Sequence, residues 1–363
     1  MLLVGKVQRM KISRMVTGIA TALAVVTASL IGPSAALATP PEAAMSSTIG
    51  HELAQANMSS GHGPRGPHVT APDVSGAHLV AKRHLHGNRW EIDVYSPAMG
   101  TTITSMALIA PGHAPRPTFY LLSGSEGGQA GQNWAINSNY EQFFADKHVN
   151  VITPLGGQRS FYSDWENVDP ALGNYKWTTF IAYELPSVID REFHGNGRDA
   201  VGGISASGSG AMDLAAHNPG RFKAAASYSG CPSTGGAFGW AYASVITGTA
   251  GGSSHNAWGL PDSPNWNAHN PVRNLDRLRN TALFVSSSHG IPSARERDLQ
   301  PIWIGPRLVE LGSHACSEYF TTHARNAGLH VTRYTPTHGA HSFFLFEESM
   351  RESWKVIGPA IGT

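Results

Sequence analysis

Charge is scarce in this sequence of 363 residues, because Asp, Glu, Lys and Arg together make up only 14% of it. A coiled coil or a charged disordered chain needs a much larger charged fraction, so both classes are excluded. The first 38 residues carry four basic residues and no acidic one, and the rest of the chain has 22 basic against 25 acidic residues. No basic surplus remains for a phosphate backbone, and we expect no nucleic-acid partner.

Long hydrophobic runs are also scarce. The only one covers residues 15–31, follows the four basic residues and leads to the small residues Ala36-Leu37-Ala38. This order is typical of a cleavable secretory signal peptide, which we place at residues 1–38. An uncleaved membrane anchor is the alternative, since about 17 apolar residues are at the short limit for a span. The mature chain is expected to be exported to the cell envelope or the medium, without a membrane span and as a monomer.

The sequence has only two cysteines, Cys231 and Cys316. In an oxidising compartment a single pair predicts a disulfide. A loop of this length would stabilise the fold by about 4–5 kcal/mol in the chain-entropy model. The alternative is a pair of unlinked buried thiols.

Residues 39–67 are dense in Pro, Gly, Ser and His and show no periodicity, which predicts a flexible linker. The spacing of His51 and His62 is not that of a zinc site, and no metal is expected there. From residue 68 to 363, short β-branched runs alternate with helical patterns, which indicates an α/β fold with a mostly parallel sheet flanked by helices. The predicted strands are residues 118–122, 149–154, 200–204, 224–228, 282–286 and 330–334, and the clearest predicted helices are 176–189 and 207–217.

A Gly-rich and aromatic segment, residues 232–269, separates two of these strands. A structureless loop of that length is improbable in a compact domain, so the segment is expected to form a cap-like insertion. Its large apolar side chains would line an acyl channel or, equally well, pack in an ordinary core. They are Phe238, Trp240, Tyr242, Val245 and Ile246.

The sharpest motif is Gly203-Ile204-Ser205-Ala206-Ser207, in which a predicted strand runs into a serine and then at once into a predicted helix. It resembles the nucleophile elbow of α/β-hydrolases, where small neighbours allow a strained serine to present its hydroxyl. Ser207 stands where the pattern usually has Gly. The N–H of Ala206 at the start of the helix would face a developing oxyanion. The alternative is an ordinary Gly/Ser turn.

A serine nucleophile needs an imidazole base, and in this fold the His follows the last strand. Both His338 and His341 follow residues 330–334, and position alone does not choose between them. The acid should follow the strand at residues 282–286. The candidates there are Glu296, Asp298, Glu310 and Glu318.

The stretch PLGGQRSFYSDW at residues 154–165 nearly repeats the motif PVGGQSSFYSDW of a known family, and Gly339-Ala340-His341-Ser342 matches that family's GTHSW. The sequence resembles the secreted mycolyltransferases of the mycobacterial antigen 85 type and their corynebacterial relatives, over residues 88–358. The resemblance implies an α/β-hydrolase fold in which Ser205 is the nucleophile and His341 the base, with an oxyanion hole formed by the N–H groups of Ser125 and Ala206.

For the acid, the resemblance favours Glu310, because Val309-Glu310 followed by Cys316-Ser317 looks like the corynebacterial pattern. An ungapped match to the mycobacterial pattern instead points one helical turn beyond Glu318.

At the sugar end, the family has an Asp and an Arg where this chain has Ser123 and Glu126. Asn137 and Ser342 are kept, so Ser123, Asn137 and Ser342 are the expected substrate contacts. A carboxylate accepts hydrogen bonds where an Arg donates them, so the set of bound hydroxyls is expected to differ.

The resemblance implies a serine acyltransferase that transfers mycoloyl groups from trehalose monomycolate to trehalose or cell-wall arabinogalactan through an acyl-serine. Trehalose mycolates and cell-wall glycan are therefore the expected partners, and no metal or organic cofactor is implied. The alternatives are a secreted carboxylesterase, with water as the acceptor, and a non-catalytic cell-wall-binding member of the family.

Overall fold

The computed structural model describes residues 58–66, 71–299 and 304–363. Within them, nine strands form one sheet in the order β1-β2-β3-β5-β4-β6-β7-β8-β9. The first three strands and β5 pair in antiparallel fashion, and the pairs from β5 through β4 to β9 are parallel. The strands are β1 His78–His86, β2 Arg89–Ser96, β3 Thr101–Leu108, β4 Thr118–Leu122, β5 Asn150–Pro154, β6 Asp199–Ile204, β7 Phe222–Tyr228, β8 Ala282–Ser286 and β9 Val331–Tyr334.

Helices cover both faces of the sheet. They are α1 Trp134–Asn137, α2 Tyr140–Phe144, α3 Trp177–Thr179, α4 Leu185–Glu192, α5 Ala206–His217, α6 Gly236–Gly248, α7 Ser254–Trp258, α8 Pro264–Ala268, α9 Ala294–Leu299, α10 Ile304–Asn326 and α11 Phe343–Ile361. A π-helical turn, Phe180–Glu184, joins α3 to α4, and a 3-10 helix, Pro271–Leu278, follows α8.

Alternation along the central strands explains why both faces are covered. In β4, Phe119 and Leu121 belong to one apolar cluster and Tyr120 and Leu122 to another, and all four are fully buried. Successive side chains of a strand point to opposite faces, so a strand with apolar side chains on both faces needs a helical layer on each side. The α/β-hydrolase architecture is therefore confirmed.

All six predicted strands are present, with ends within two residues of the prediction. The antiparallel strands β1 to β3 were not predicted. Most of β1 is exposed at the edge of the sheet, so its sequence lacks the apolar pattern that marks the central strands.

The linker prediction is wrong for residues 58–66, which lie against the domain. Met58 is buried in the core, Gly66 N donates to Pro264 O at 2.7 Å, and Arg65 pairs with Asp276. A Gly/Pro-rich segment without periodicity can still be held in place by hydrogen bonds to its backbone, and Asn267 donates such a bond to His62 O at 2.6 Å. The predicted signal peptide at residues 1–38 and His51 lie outside the described residues. No helix of the described chain is long and apolar enough to cross a membrane.

Residues 232–269 form an insertion that is largely helical and contains α6, α7 and α8. A disulfide joins Cys231, at the start of this insertion, to Cys316 in α10. The predicted bridge is confirmed, and the alternative of two unlinked thiols is wrong. The disulfide links the loop after β7 to α10, the helix that carries Glu310.

Candidate active site

Ser205 occupies a strained turn between β6 and α5. Its backbone has φ 55° and ψ −128°, a conformation that side chains rarely adopt, and its N–H donates to Tyr228 O at 2.9 Å. The turn is tight enough that a Cβ on Gly203 would lie 2.3 Å from Ser207 O. Ser207, in place of the usual Gly, is accommodated because its hydroxyl donates to Ile204 O at 2.8 Å. The local sequence therefore forms a nucleophile elbow.

His341 lies in the loop between β9 and α11 and faces Ser205. Its Nε2 is 2.9 Å from Ser205 Oγ, and its Nδ1 is 2.9 Å from Glu310 Oε2. His338 is exposed, and its Nδ1 is bonded to the neighbouring Thr337. Of the two histidines that the sequence left open, the structure brings only His341 to Ser205.

Glu310 is fully buried in α10 and is held by three donors. Its Oε1 accepts from Ser229 Oγ at 2.9 Å and from Ser288 N at 2.7 Å, while Oε2 accepts from His341. Glu318 instead accepts from Arg333 at 2.8 Å. The side chain of Asp298 lies outside the described residues. Glu310 is thus the carboxylate that contacts His341.

This chain of contacts sets the proton positions. A carboxylate only accepts hydrogen bonds, so Glu310 fixes the proton of a neutral His341 on Nδ1. Nε2 is then free to accept the hydroxyl proton of Ser205. The arrangement can activate an alcohol as a nucleophile and return the proton to a leaving group.

Two cavities meet at Ser205 and His341, and Ser125 and Glu126 also line both. The first, which we call the Asn137 cavity, has a volume of about 400 Å³ and contains Gln132, Asn137 and Ser342. The second, the Phe238 cavity, has a volume of about 230 Å³ and contains Phe238, Tyr242 and Ile246. Burial raises the pKa of Tyr242 to about 12, so this wall carries a neutral phenol. Both cavities have largely apolar walls, and the Asn137 cavity, which Phe343, Phe344 and Phe346 also line, is the one that adds side-chain amides.

Ser125 and Ala206, the two residues expected to hold an oxyanion through their N–H groups, both lie close to Ser205. Ala206 is the first residue of α5, where backbone N–H groups have no partner within the helix. Ser125 follows β4, the neighbour of β6 in the sheet, and Arg159 N donates to its carbonyl at 2.8 Å. A Cβ on the adjacent Gly124 would lie 3.6 Å from the Cβ of Ser205, so this loop packs against the elbow.

Comparison with known proteins places this geometry in a family. The model of the putative esterase family matches residues 96–354. The diacylglycerol acyltransferase/mycolyltransferase Ag85A of Mycobacterium tuberculosis is 32% identical over 277 residues, which is 74% of this chain and 76% of that protein. The chain belongs to the antigen 85 group of this family. The relatives in this group are named acyltransferases, and this chain is an acyltransferase as well.

Further relatives agree with this membership. The diacylglycerol acyltransferase/mycolyltransferase Ag85B of Mycolicibacterium smegmatis is 37% identical over 215 residues, which cover 55% of this chain and 64% of that protein. The crystal structure of MPT51 (FbpC1) of Mycobacterium tuberculosis superposes with a TM-score of 0.62 at 27% identity, over 73% of this chain and 96% of the other. An S-formylglutathione hydrolase from Agrobacterium tumefaciens shares the fold, with a TM-score of 0.57 at 17% identity over 78% of this chain and all of the other.

Two of the three residues expected to contact the substrate of this antigen 85 member line a cavity, and the third does not. Asn137 and Ser342 line the Asn137 cavity, with the Asn137 amide donating to Gly131 O at 2.5 Å. Ser123 is fully buried and is absent from the described lining of both cavities. A direct sugar contact by Ser123 therefore stays a prediction.

An arginine that sequence reasoning passed over reaches Glu126. Arg159, in the loop after β5, forms an ion pair with Glu126 and lines the Phe238 cavity. The Nε of Arg159 is buried without a hydrogen-bond partner. A loop other than the one that carries Glu126 thus places a guanidinium beside this carboxylate. Arg159 also departs from the family motif, since PVGGQSSFYSDW has Ser at that place, and this departure was the available signal.

Asp213, His217 and His269 form a second buried cluster of groups that could bind a metal. His269 Nδ1 is 2.7 Å from Asp213 Oδ2, and the rings of His217 and His269 stack at 4.5 Å with an angle of 5° between them. In-plane lone pairs of two parallel rings do not converge on one ion, so we assign the cluster to packing and hydrogen bonding. Burial, with His269 beside it, lowers the pKa of His217 to about 4.

Proposed function

We propose that this protein is a serine acyltransferase that transfers a mycoloyl group from trehalose monomycolate to trehalose or to cell-wall arabinogalactan. The contact chain from Ser205 Oγ through His341 to Glu310, with both distances at 2.9 Å, carries the proposal. The choice of a mycoloyl group as the transferred acyl group follows from the relatives, which are named mycolyltransferases.

In the first half-reaction, Ser205 Oγ attacks the ester carbonyl carbon of the donor and its proton passes to His341 Nε2. The carbonyl oxygen becomes an oxyanion, which accepts hydrogen bonds from the N–H groups of Ser125 and Ala206. As the intermediate collapses, His341 gives the proton to the departing sugar oxygen. The mycoloyl group is then an ester of Ser205, and trehalose is released.

In the second half-reaction, an acceptor hydroxyl enters and gives its proton to His341 Nε2. Its oxygen attacks the acyl-serine carbonyl, and the same two N–H groups hold the second oxyanion. Ser205 leaves with the proton from His341, which regenerates the free enzyme and yields the new sugar ester. Glu310 accepts the hydrogen bond from the Nδ1–H of His341 throughout, and it stabilises the imidazolium that forms in each half-reaction.

The two cavities divide the substrate between them. We assign the sugar to the Asn137 cavity, where side-chain amides and hydroxyls can pair with hydroxyl groups. We assign the start of the acyl chain to the Phe238 cavity, whose aromatic and aliphatic wall favours apolar surface. The chain would work after export, where its acceptor lies and where an oxidising environment maintains the disulfide between Cys231 and Cys316.

The test is incubation of the purified protein with trehalose monomycolate, with and without excess trehalose, and with a Ser205→Ala variant as the matched control. Mass spectrometry of the lipid products should show trehalose dimycolate that requires the Ser205 hydroxyl and rises with added trehalose. Release of free mycolic acid alone would support a carboxylesterase instead. No turnover by a folded protein would contradict the proposed donor.

A further inference from the structure

We propose that Glu296 is a positioning residue that holds the His341 loop in its working conformation. This inference rests on the proposed function, because it concerns the same reaction. Glu296 lies in α9, is 1% exposed and is absent from the described lining of both cavities. It therefore acts through the loop and not by contact with substrate.

The two carboxylate oxygens of Glu296 face different segments. Oε2 accepts from Ser293 N at 2.7 Å and from Ser293 Oγ at 2.8 Å, while Ser293 Oγ also lies 3.4 Å from Glu296 N. These contacts form a capping box at the start of α9. Oε1 accepts from Ala340 N at 2.9 Å and from Ser342 Oγ. One oxygen thus binds the residues on both sides of His341.

The backbone of His341 needs such a restraint. Its φ is 42°, in the left-handed region, where a non-glycine residue is strained and stays only when its surroundings hold it. Gly339, two residues before His341, is also held, since Gly339 N donates to Ile291 O at 2.6 Å and Ser288 Oγ donates to Gly339 O at 2.6 Å. Glu296 adds the bonds nearest to the strained residue. Without them, the imidazole can leave the line between Ser205 and Glu310.

Ser342 gives independent support. It is the N-cap residue of α11, a position where a Ser side chain usually accepts a hydrogen bond from the first turn. The hydroxyl makes no such cap bond and donates to Glu296 instead. The rotamer of Ser342 is therefore one that serves the contact to Glu296 and not the helix cap.

The experiment compares four variants with the wild-type protein in two assays. Glu296→Ala removes both sets of contacts, Glu296→Asp keeps the charge but shortens its reach, and Glu296→Gln keeps the length and one acceptor oxygen. Ser293→Ala is the matched control, because it weakens the capping box and leaves the contacts to the His341 loop intact. The assays are steady-state hydrolysis of p-nitrophenyl butyrate and the rate at which a fluorophosphonate probe labels Ser205, with the melting temperature measured for each variant.

We expect Glu296→Ala and Glu296→Asp to lower kcat and the labelling rate about 10²-fold, since a shift of about 1 Å at the base has effects of this size. KM should stay within about threefold, because no substrate contact is lost. Glu296→Gln should lose clearly less than Glu296→Ala, because in one orientation its carbonyl oxygen still accepts from Ala340 and Ser342 while the NH₂ group faces the Ser293 N–H of the capping box. Ser293→Ala should remain close to wild type.

Equal losses in Ser293→Ala and Glu296→Ala would reduce Glu296 to a helix cap and overturn the proposal. Wild-type rates in Glu296→Asp would also overturn it, and this variant decides the matter if Glu296→Ala does not fold. A rise in KM at constant kcat would mean a substrate contact instead. Failure of the proposed function is distinct, because the wild-type protein would then label at Ser205 or hydrolyse the ester and still form no trehalose dimycolate from trehalose monomycolate.

Discussion

Replacing Glu310 by Gln tests the acid with the least change in shape. Oε1 of Glu310 accepts from Ser229 Oγ at 2.9 Å and from Ser288 N at 2.7 Å. A backbone N–H is an obligatory donor, so the Gln carbonyl oxygen must take the Oε1 position. The NH₂ group then occupies the place of Oε2 and points at His341 Nδ1. A donor there requires Nδ1 to accept, which moves the imidazole proton to Nε2, the atom that must receive the proton of Ser205.

A base with its proton on the wrong nitrogen should cost on the order of 10⁴-fold in kcat, as the loss of the orienting acid does in other triads. This corresponds to about 5 kcal/mol of transition-state stabilisation. KM should change by less than about threefold, because Glu310 lies behind His341 and away from both cavities. The assay is transfer from trehalose monomycolate to trehalose, with melting temperatures to establish folding.

Glu318→Gln is the matched control, since it sits in the same helix and pairs with Arg333 outside the Ser205 contact chain. We expect it to retain kcat within a few-fold. A Glu310→Gln enzyme with wild-type kcat, or a Glu318→Gln enzyme that loses as much, would refute the tautomer argument.

Three further predictions concern the surroundings of the site. Replacing Cys231 and Cys316 together by Ser should lower the free energy of unfolding by about 4 kcal/mol, and urea unfolding that matches the oxidised wild type would contradict the structural role of the bridge. Arg159→Ser leaves the Glu126 carboxylate unpaired beside the cavities and should lower kcat/KM for transfer about tenfold, while adding Glu126→Gln should restore most of it; equal activity of the single and double variants would contradict the pairing. The pKa of His217 falls from its ordinary 6.5 to about 4 on folding. Between these two pH values His217 is protonated in the unfolded chain and neutral in the folded protein. The free energy of unfolding should therefore decline between pH 6.5 and pH 4, by up to about 3 kcal/mol. Urea unfolding at pH 7.5 and 4.5 measures this decline for wild type and for His217→Phe, and an equal decline in both proteins would contradict the prediction.

The central strands and the elbow could be predicted from the sequence because their signals are local. Strand β4 is apolar at every position after Thr118, and Ser205 lies between a buried strand and a helix whose small residues allow close approach. Strand β1 gives no such signal, since its side chains face solvent at the edge of the sheet. Burial makes a strand visible in the sequence, and edge strands lack it.

The choice among carboxylates required the fold. Glu296, Glu310 and Glu318 lie within 23 residues of one another, and their sequence positions fit the same role. Only tertiary packing separates them: Glu310 contacts the ring of His341, Glu296 contacts the flanking backbone, and Glu318 contacts Arg333. The spacing Ser293-x-x-Glu296 predicts a capping box. The second set of contacts that Glu296 makes, to the His341 loop, involves residues more than 40 positions away in the sequence, so no local pattern predicts it.

The most direct test of the account is to trap the protein after brief incubation with trehalose monomycolate and to map the modified peptide by mass spectrometry. We predict a mass increase equal to one mycoloyl group on the peptide that contains Ser205, lost on addition of trehalose and absent from Ser205→Ala. An adduct on another residue, or one that persists in Ser205→Ala, would contradict the assignment of Ser205 as the nucleophile.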